Sequence, residues 1–330
     1  MLDSIRLRAI DLPDGWDIAP DERLSVGGPA PTGETVAWRV ATERLPRGVD
    51  ELAKADLVAV EPGARDPRFL GRLAGEHVVE LEFGAAIDAM RDPWLVIDGW
   101  VEYPYSQTMF AAWQAGADYR PPNLEARGAD GAWVEVLPQW GYMAGMPRRM
   151  ALPVPRAALP EGATALRMRM NVELYLDSVR LVEREPLPAA PVELSLVRAS
   201  LASVGFAEWS TGPQKQPFYD RAKLLPLWDC RVQRGLYTEF GDVRELLARD
   251  DGALVVFGPG EEVAFDFAGP VAAPAAGATR RFVLETRGWC KDMDLFTRNG
   301  ETVEPLPIEP VDDSARDLMK RTRTRPAGGR

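Results

Sequence analysis

The stretch GEHVVELEF at Gly75–Phe83 and the stretch PWLVIDGWVEYPYS at Pro93–Ser106 decide the fold class, because the pair recurs far downstream. The second copy reads GEEVAFDF at Gly260–Phe267 and RRFVLETRGWCKDMD at Arg280–Asp294. Each copy has the pattern of a strand, a loop and a second strand that runs into Gly-Trp. Recurrence of such a pattern indicates two related β units.

The segments that lead into the two copies correspond as well. GVDELAKADLVAVEPG at Gly48–Gly63 matches GDVRELLARDDGALVVFGPG at Gly241–Gly260. Each contains a candidate for a short helix, at Asp50–Ala55 and at Val243–Arg249. Nothing later in the chain matches the Gln107–Val182 half of the first copy, so we expect the second unit to be shorter.

Alternation of apolar and polar side chains is the main secondary-structure signal. In HVVELEF, the side chains of Val79, Leu81 and Phe83 fall on one face of a strand, which is the pattern of a half-buried strand. WLVIDGW, WVEVL, ALRMRMNV and LYLDSVRLVE follow the same period, and polar turns separate them. We therefore predict a mainly β fold of tandem antiparallel jelly-roll (galactose-binding-like) β-sandwiches with few short helices.

The segment EREPLPAAPVE, Glu183–Glu193, is the natural domain boundary because its prolines follow a predicted strand. We predict a first β-sandwich domain at residues 1–185, a second and shorter one at 186–310, and a basic disordered tail at 311–330. The tail carries six Lys/Arg against three Asp/Glu, and this excess favours a solvated end. The sheet of the second domain is completed either by the Val192–Phe206 segment or by packing on the first domain.

Composition excludes several kinds of partner. The net charge of −11 disfavours nucleic-acid binding, since an acidic surface repels phosphate. No apolar run approaches the length of about 20 residues that spans a bilayer, so membrane insertion is not expected. The N-terminus lacks the basic and apolar regions of a secretory signal, which predicts a cytoplasmic protein; an exported mature form stays open.

Several strings resemble a known family. YTEFGDVRELL at Tyr237–Leu247, with VVFGPGEEVAFDF and FVLETRGWCKDMDLFT after it, resembles the C-terminal region of large bacterial FG-GAP and tetratricopeptide-repeat proteins of the UnbV (cartilage-acidic-protein-like) type. WLVIDGWVEYPYS and NVELYLDSVRLVE are similar to the part that precedes it, so the resemblance covers roughly Pro46–Pro307. The β-propeller and helical repeats of those proteins have no counterpart in this sequence. The resemblance implies an accessory or binding module and no particular ligand.

The sequence carries no catalytic signature. Its one histidine, His77, lies inside a predicted strand, where pairing with a neighbouring strand is its expected role. Gly258-Pro259-Gly260 lacks the third glycine of a dinucleotide-binding loop and leads into another strand, so it is a hairpin turn. Paired carboxylates among the 50 Asp and Glu leave open the alternative of a carboxylate-dependent glycan-active enzyme.

Aromatic residues after the first Gly-Trp are the best functional indication. In jelly-roll modules aromatic rings stack on sugars while amides and charged groups bind the hydroxyls. The alternative is that the same rings fill the core or an interface. The candidate ligand-binding residues are Trp100, Tyr103, Tyr105, Gln107, Trp113, Asn123, Trp140 and Tyr142.

Oxygen-bearing side chains suggest a structural Ca²⁺ in two places. Asp292, Asp294 and Asn299 form a run of alternating oxygen ligands in a loop, and Asp177 lies in a late strand of the first domain. The alternatives are a solvated acidic loop with an Asx turn and a salt-bridged Asp177.

These observations favour a non-catalytic binding or assembly module. The module is expected to recognise a carbohydrate or a protein partner through the aromatic loops of the first domain. A purely structural subunit of a larger assembly is the remaining alternative, next to the enzyme.

Overall fold

A computed structural model describes residues 1–25, 27–225, 232–270, 272–294 and 296–327. Strands account for 42% of the structure and helices for 10%, so the protein is mainly β, as predicted. The sheets whose registers are defined are antiparallel. No helix among the described residues is long and apolar enough to cross a membrane.

The elements follow one another as short strands with few helices. In chain order the strands are β1 (Leu2–Pro13), β2 (Trp16–Pro20), β3 (Thr35–Arg39), β4 (Arg72–Glu82), β5 (Pro93–Val101), β6 (Leu124–Arg127), β7 (Trp133–Leu137), β8 (Arg148–Pro153), β9 (Ala165–Val172), β10 (Leu174–Glu183), β11 (Val192–Leu194), β12 (Leu196–Ser203), β13 (Phe206–Thr211), β14 (Pro217–Leu225), β15 (Leu236–Tyr237), β16 (Gly241–Asp242), β17 (Glu261–Phe267), β18 (Ala278–Gly288) and β19 (Arg325–Pro326). The α-helices of the described part are α1 (Ser106–Gln114) and α2 (Asp313–Thr322), and 3-10 helices lie at Val40–Thr42, Asp50–Ala53, Arg156–Ala158 and Arg244–Leu247.

The chain forms two compact units. The central unit comprises Gly15–Pro188 and Thr211–Phe218, and the terminal unit comprises Met1–Asp14, Ala189–Ser210 and Tyr219–Arg330. The predicted boundary after residue 185 lies close to the end of the long central segment. The predicted first domain, however, also included residues 1–14. These residues belong to the terminal unit because β1 pairs there with β11 and β18.

The core of the central unit lies between two groups of strands. One sheet has the order β4-β9-β6-β7, and the other has the order β10-β5-β8. Leu81 of β4 and Met168 of β9 share one apolar cluster with Ile97 of β5 and Leu152 of β8. In β4 the alternation holds as predicted, since Val79 and Leu81 are buried while Val78 is exposed.

The β10-β5-β8 sheet departs from the predicted alternation because apolar groups cover both of its faces. Leu95 and Ile97 of β5 face the main core, whereas Trp94 and Val96 pack with Trp38 of β3 in a separate cluster. A strand covered on both sides contains few exposed positions. Trp100, near the end of β5, is buried in a further small cluster with Ala59 and Tyr175.

The terminal unit has its own core, and several small sheets lie within it. Their orders are β11-β1-β18, β16-β12-β17 and β15-β19. β12 lies in the Val192–Phe206 segment that was expected to complete this sheet, and it pairs with β17. β14 pairs with β13 in a separate two-stranded sheet.

The predicted disordered tail is instead ordered over most of its length. Residues of α2 enter the core of the terminal unit, where Ala315, Leu318 and Met319 are buried. Asp312 caps the helix by accepting a hydrogen bond from the Ala315 N–H at 2.8 Å. Further on, the Arg325 guanidinium pairs with Glu261 at 2.7 Å. The basic residues of this segment therefore contribute to tertiary structure.

Candidate ligand-binding surface

Three exposed aromatic rings of the central unit follow the end of β5. Tyr103 and Tyr105 are 38% and 50% exposed, and Trp113 of α1 is 71% exposed. The Tyr103 and Tyr105 rings meet edge to face with centroids 5.3 Å apart, and the Phe110 and Trp113 rings are 5.5 Å apart. We call Tyr103, Tyr105, Phe110 and Trp113 the aromatic surface.

Helix α1 presents Phe110 and Trp113 because it buries little of itself. Ala112 is its one buried residue, and its N-cap, Tyr105, provides no side-chain hydrogen bond to the first turn. A helix with so little packing and capping depends on its surroundings for stability. Large apolar side chains at such a place on the surface are typical of an interaction site.

The loop that carries Tyr103 is held tightly at its base. Gly71 has a φ of 70°, and a Cβ atom there would lie 2.4 Å from the Glu102 carbonyl oxygen. Only glycine fits this approach. Beside it, the Tyr119 hydroxyl donates to the Leu70 carbonyl at 2.6 Å. The backbone at Glu102, just before Tyr103, is therefore held against Gly71.

Trp100 lies in the core and does not belong to this surface. Its ring is completely buried and stacks on Tyr175, with centroids 5.6 Å apart and an interplanar angle of 12°. The indole N–H donates to the Gln214 carbonyl at 2.8 Å. The Gln214 side chain in turn accepts from the Ala59 N–H at 2.8 Å and donates to the Ala59 carbonyl at 2.7 Å. No ligand reaches the Trp100 ring through this cover.

Trp140 and Tyr142 are likewise core residues, so the packing alternative describes them. Both rings belong to the main apolar cluster of the central unit. The Trp140 indole donates to the Asn123 carbonyl at 3.2 Å, and the Tyr142 backbone forms an isolated bridge with Leu24. Burial raises the pKa of the Tyr142 hydroxyl to about 12.

The two predicted amides have different surroundings. Gln107 is exposed on α1 and lies next to the aromatic rings in sequence. Asn123 is engaged in the sheet: its Oδ1 accepts from the Arg169 N–H at 3.1 Å, and its Nδ2 donates to Glu135 at 3.1 Å. Asn123 therefore holds strands together, and Gln107 is the amide that a ligand can reach.

A group of charged residues lies beneath the Tyr103 loop. Arg65 contacts Glu173 at 2.6 Å and donates to the Tyr175 hydroxyl at 2.9 Å, and this hydroxyl donates to Glu173. The Glu102 N–H donates to the Glu173 carbonyl at 3.1 Å, which brings the two acidic residues next to each other. Burial raises the pKa of Glu102, with Lys215 acting in the opposite direction.

The candidate calcium ligands take part in local hydrogen bonds. Asp177 is buried, and its Oδ1 accepts from the N–H groups of Asp56 and Leu57 at 3.2 and 3.0 Å. Asp294 accepts from the Phe296 N–H at 2.8 Å, which is an Asx turn, and Asn299 has a φ of 55°. In the described ranges no three His, Cys, Asp or Glu residues form a group that could hold a metal. The structural Ca²⁺ stays a prediction.

The sequence reasoning missed two features that the structure reveals. Phe110 stands three residues before Trp113 in QTMFAAWQ, and this helical spacing was the available signal. A cleft of about 500 Å³ in the terminal unit is lined by Tyr237, Trp289 and Lys291 among others, and by the exposed Cys290. The residues that line this cleft come from distant parts of the chain, so no local sequence pattern predicts the cleft. Cys230 lies outside the described residues.

Compared with known proteins, the chain matches no family model, no curated protein and no solved structure.

Proposed function

We propose that this protein is a non-catalytic binding or assembly module that engages its partner through the aromatic surface. The observation that carries the proposal is the exposure of Trp113, 71%, next to Phe110 on a helix that buries a single residue. Exposed Trp and Tyr side chains are enriched at recognition sites because they add contact area at low entropic cost. The anchored base of the loop limits that cost further.

The accessibility of the predicted amide side chains favours a protein partner over a carbohydrate. Sugar recognition needs several polar side chains that converge beside an aromatic face. Of the two predicted amides, Asn123 is used within the sheet and Gln107 is accessible. Exposed Tyr, Phe and Trp rings are typical of the centre of a protein interface.

The finer fold prediction belongs to the same proposal. The central unit would be a jelly-roll sandwich, supported by the core that the β4-β9-β6-β7 and β10-β5-β8 sheets share. The repeated strings would mark two related units, supported by their pairing partners. β5 pairs with β10, which Val60 also contacts through a bridge; β18 pairs with β1, which Val255 contacts in the same way. The resemblance to UnbV-type proteins agrees with an accessory module.

The test compares two tryptophan variants that share the same chemical change. Trp113→Ala removes the centre of the aromatic surface, and Trp209→Ala removes a 47% exposed ring of the terminal unit. Quantitative pull-downs and a glycan array would be run with the wild-type chain and with both variants. We expect a partner that Trp113→Ala loses and Trp209→Ala keeps. A partner kept equally by both variants would contradict the proposal, and a glycan in place of a protein would correct the partner class.

The carboxylate-dependent enzyme is the second candidate, on the strength of Glu102. Burial, and to a smaller degree the charge of Glu173, raises the pKa of the Glu102 carboxyl, and a raised pKa is what a catalytic acid needs. Release of reducing sugar from mixed polysaccharides, abolished by Glu102→Gln, would favour this candidate. Absence of release from the wild-type chain would remove it.

A further inference from the structure

The outer strand of one sheet in the terminal unit has an open edge. β18 pairs with β1 along eleven register positions, from Leu2 opposite Gly288 to Pro13 opposite Ala278, and in the described part of the chain it has no strand on its other side. Phe282 and Leu284 on this strand are 55% and 56% exposed. A long edge strand with exposed apolar side chains is a template for pairing with another chain.

The corresponding position in the central unit is occupied. The string that forms β5 resembles the string that forms β18, and β5 is paired on both sides, by β10 and by β8. β18 has β1 on one side, and the position that β8 takes beside β5 is not filled by a described strand. The open edge is thus a specific difference between two similar arrangements.

The alternation of hydrogen bonds between β1 and β18 determines which backbone groups of β18 point to the open edge. The Asp14 N–H donates to the Gly277 carbonyl at 2.8 Å, and hydrogen-bonded pairs alternate along an antiparallel ladder. Counting along the register from this pair, Arg8 and Val283 form a hydrogen-bonded pair. The N–H and C=O groups of Phe282 and Leu284 therefore point to the open edge.

The sequence of β18 is complementary to itself when the strand is reversed about Val283. In antiparallel pairing with a second β18, Arg281 stands opposite Glu285, and Phe282 stands opposite Leu284. Because the arrangement is twofold symmetric, each pair occurs twice. Opposite charges and apolar residues in directly facing positions stabilise a sheet.

Neighbouring registers are less favourable. A shift that centres the pairing on Leu284 places Arg281 opposite Arg287, and facing like charges destabilise a sheet. A shift of one residue between the strands turns the apolar face to the other side. Glu285 contacts Arg8 of its own chain at 3.0 Å, and Arg281 is likewise engaged in an interaction. In the dimer the same two charged side chains would also face those of the second copy.

We propose that the occupant of this edge is β18 of a second copy, which joins two chains into a twofold-symmetric dimer with Val283 at the axis. Such an interface is self-complementary, as twofold dimers require. It lies entirely within the terminal unit and is independent of the aromatic surface.

A charge-swap experiment tests the pairing. Sedimentation velocity over a concentration series would compare the wild-type chain, Arg281→Glu, Glu285→Arg and the double swap, with circular dichroism to check folding. Each single variant should weaken the dimer about tenfold, because it replaces attraction by repulsion at both symmetric pairs. The double swap should restore the wild-type dissociation constant. A monomeric wild-type chain, singles without effect, or a double swap that fails to restore the dimer would each overturn the proposal.

Cross-linking tests the register separately. In a chain with Cys230→Ser and Cys290→Ser, the variant Val283→Cys should form an intermolecular disulfide on mild oxidation. At a non-hydrogen-bonded pair the Cα atoms are about 4.5 Å apart, which a disulfide can bridge. Thr279→Cys in the same background is the control, since it would face Arg287 of the second copy. Equal cross-linking by both variants would overturn the register.

Discussion

Trp100 and Trp113 are the same type of residue, yet one is completely buried and the other is 71% exposed. What differs is the cover: Trp100 stacks on Tyr175 and donates to Gln214, whereas Trp113 contacts Phe110 on a surface helix. The same contrast separates the stability role of Trp100 from the binding role that we propose for Trp113. Both roles can be measured by mutation.

Substitution of the two tryptophans should change the free energy of unfolding by very different amounts. Trp100→Ala should lower the free energy of unfolding by about 3–5 kcal/mol, because it opens a cavity and leaves the Gln214 carbonyl without its donor. Trp113→Ala should change it by less than about 0.5 kcal/mol, since the ring is exposed. Urea denaturation would measure both. A large loss for Trp113→Ala would mean that the helix needs this ring for folding.

His77 should make stability depend on pH in a defined window. Burial lowers the pKa of this histidine from its usual 6.5, so the unfolded chain takes up the proton first as the pH falls. The free energy of unfolding should therefore decrease as the pH drops below 6.5, until the pKa of the folded state is passed. Because His77 is the one histidine in the sequence, its NMR titration is unambiguous. A measured pKa at or above 6.5 would contradict the burial, and His77→Gln should remove this part of the pH dependence.

At the scale of elements, the side chain of one glutamine, Gln214, forms the backbone hydrogen bonds that a neighbouring strand would otherwise provide. Gln214 satisfies both backbone groups of Ala59 and donates to Glu61 at 2.9 Å, in the manner of a neighbouring strand. Sequence patterns give no sign of such a contact, because Gln214 stands in a polar turn far along the chain. The alternation in HVVELEF, by contrast, predicted β4 and its buried face correctly, because one side of that strand faces the core.

Removal of the Gln214 side chain should destabilise the protein. Gln214→Ala leaves the buried backbone groups of Ala59 without partners, which should cost about 1–3 kcal/mol in the free energy of unfolding. Gln216→Ala in the same hairpin is the matched control, since its backbone carbonyl, which accepts from Gly212, is unchanged. Equal effects of the two variants in urea denaturation would show that the contact has no special weight.

The C-terminal helix is a second element with a specific test. Its signals were in the sequence: Asp312 precedes DSARDLMKRT, in which Ala315, Leu318 and Met319 have helical spacing. The excess of basic residues led instead to the prediction of a disordered tail. Asp312→Ala should lower the free energy of unfolding by about 1 kcal/mol through loss of the N-cap. Asp313→Ala, whose side chain is almost fully exposed, should cost less, and the reverse order would contradict the capping.

At the scale of the whole molecule, the chain forms two units whose segments alternate along the sequence. Composition and alternation predicted the mainly β class, which the structure has. The prolines of Glu183–Glu193 predicted a domain boundary. The pairing of β1 with β18 joins residues near opposite ends of the chain, and no local signal specifies such a contact. For the same reason the sequence could not separate the buried aromatic residues of the candidate site from the exposed ones. The burial of Trp100, Trp140 and Tyr142 depends on distant segments.

The most direct test of the proposed aromatic surface is hydroxyl-radical footprinting of the chain alone and with the partner that the ligand screen identifies. In the free chain we expect Trp113 and Tyr105 to be oxidised and Trp100 and Trp140 to be protected, as their exposure dictates. On binding, oxidation of Trp113 and Tyr105 should fall while that of Trp209 stays unchanged. Undiminished oxidation of Trp113 in the bound state would contradict the account.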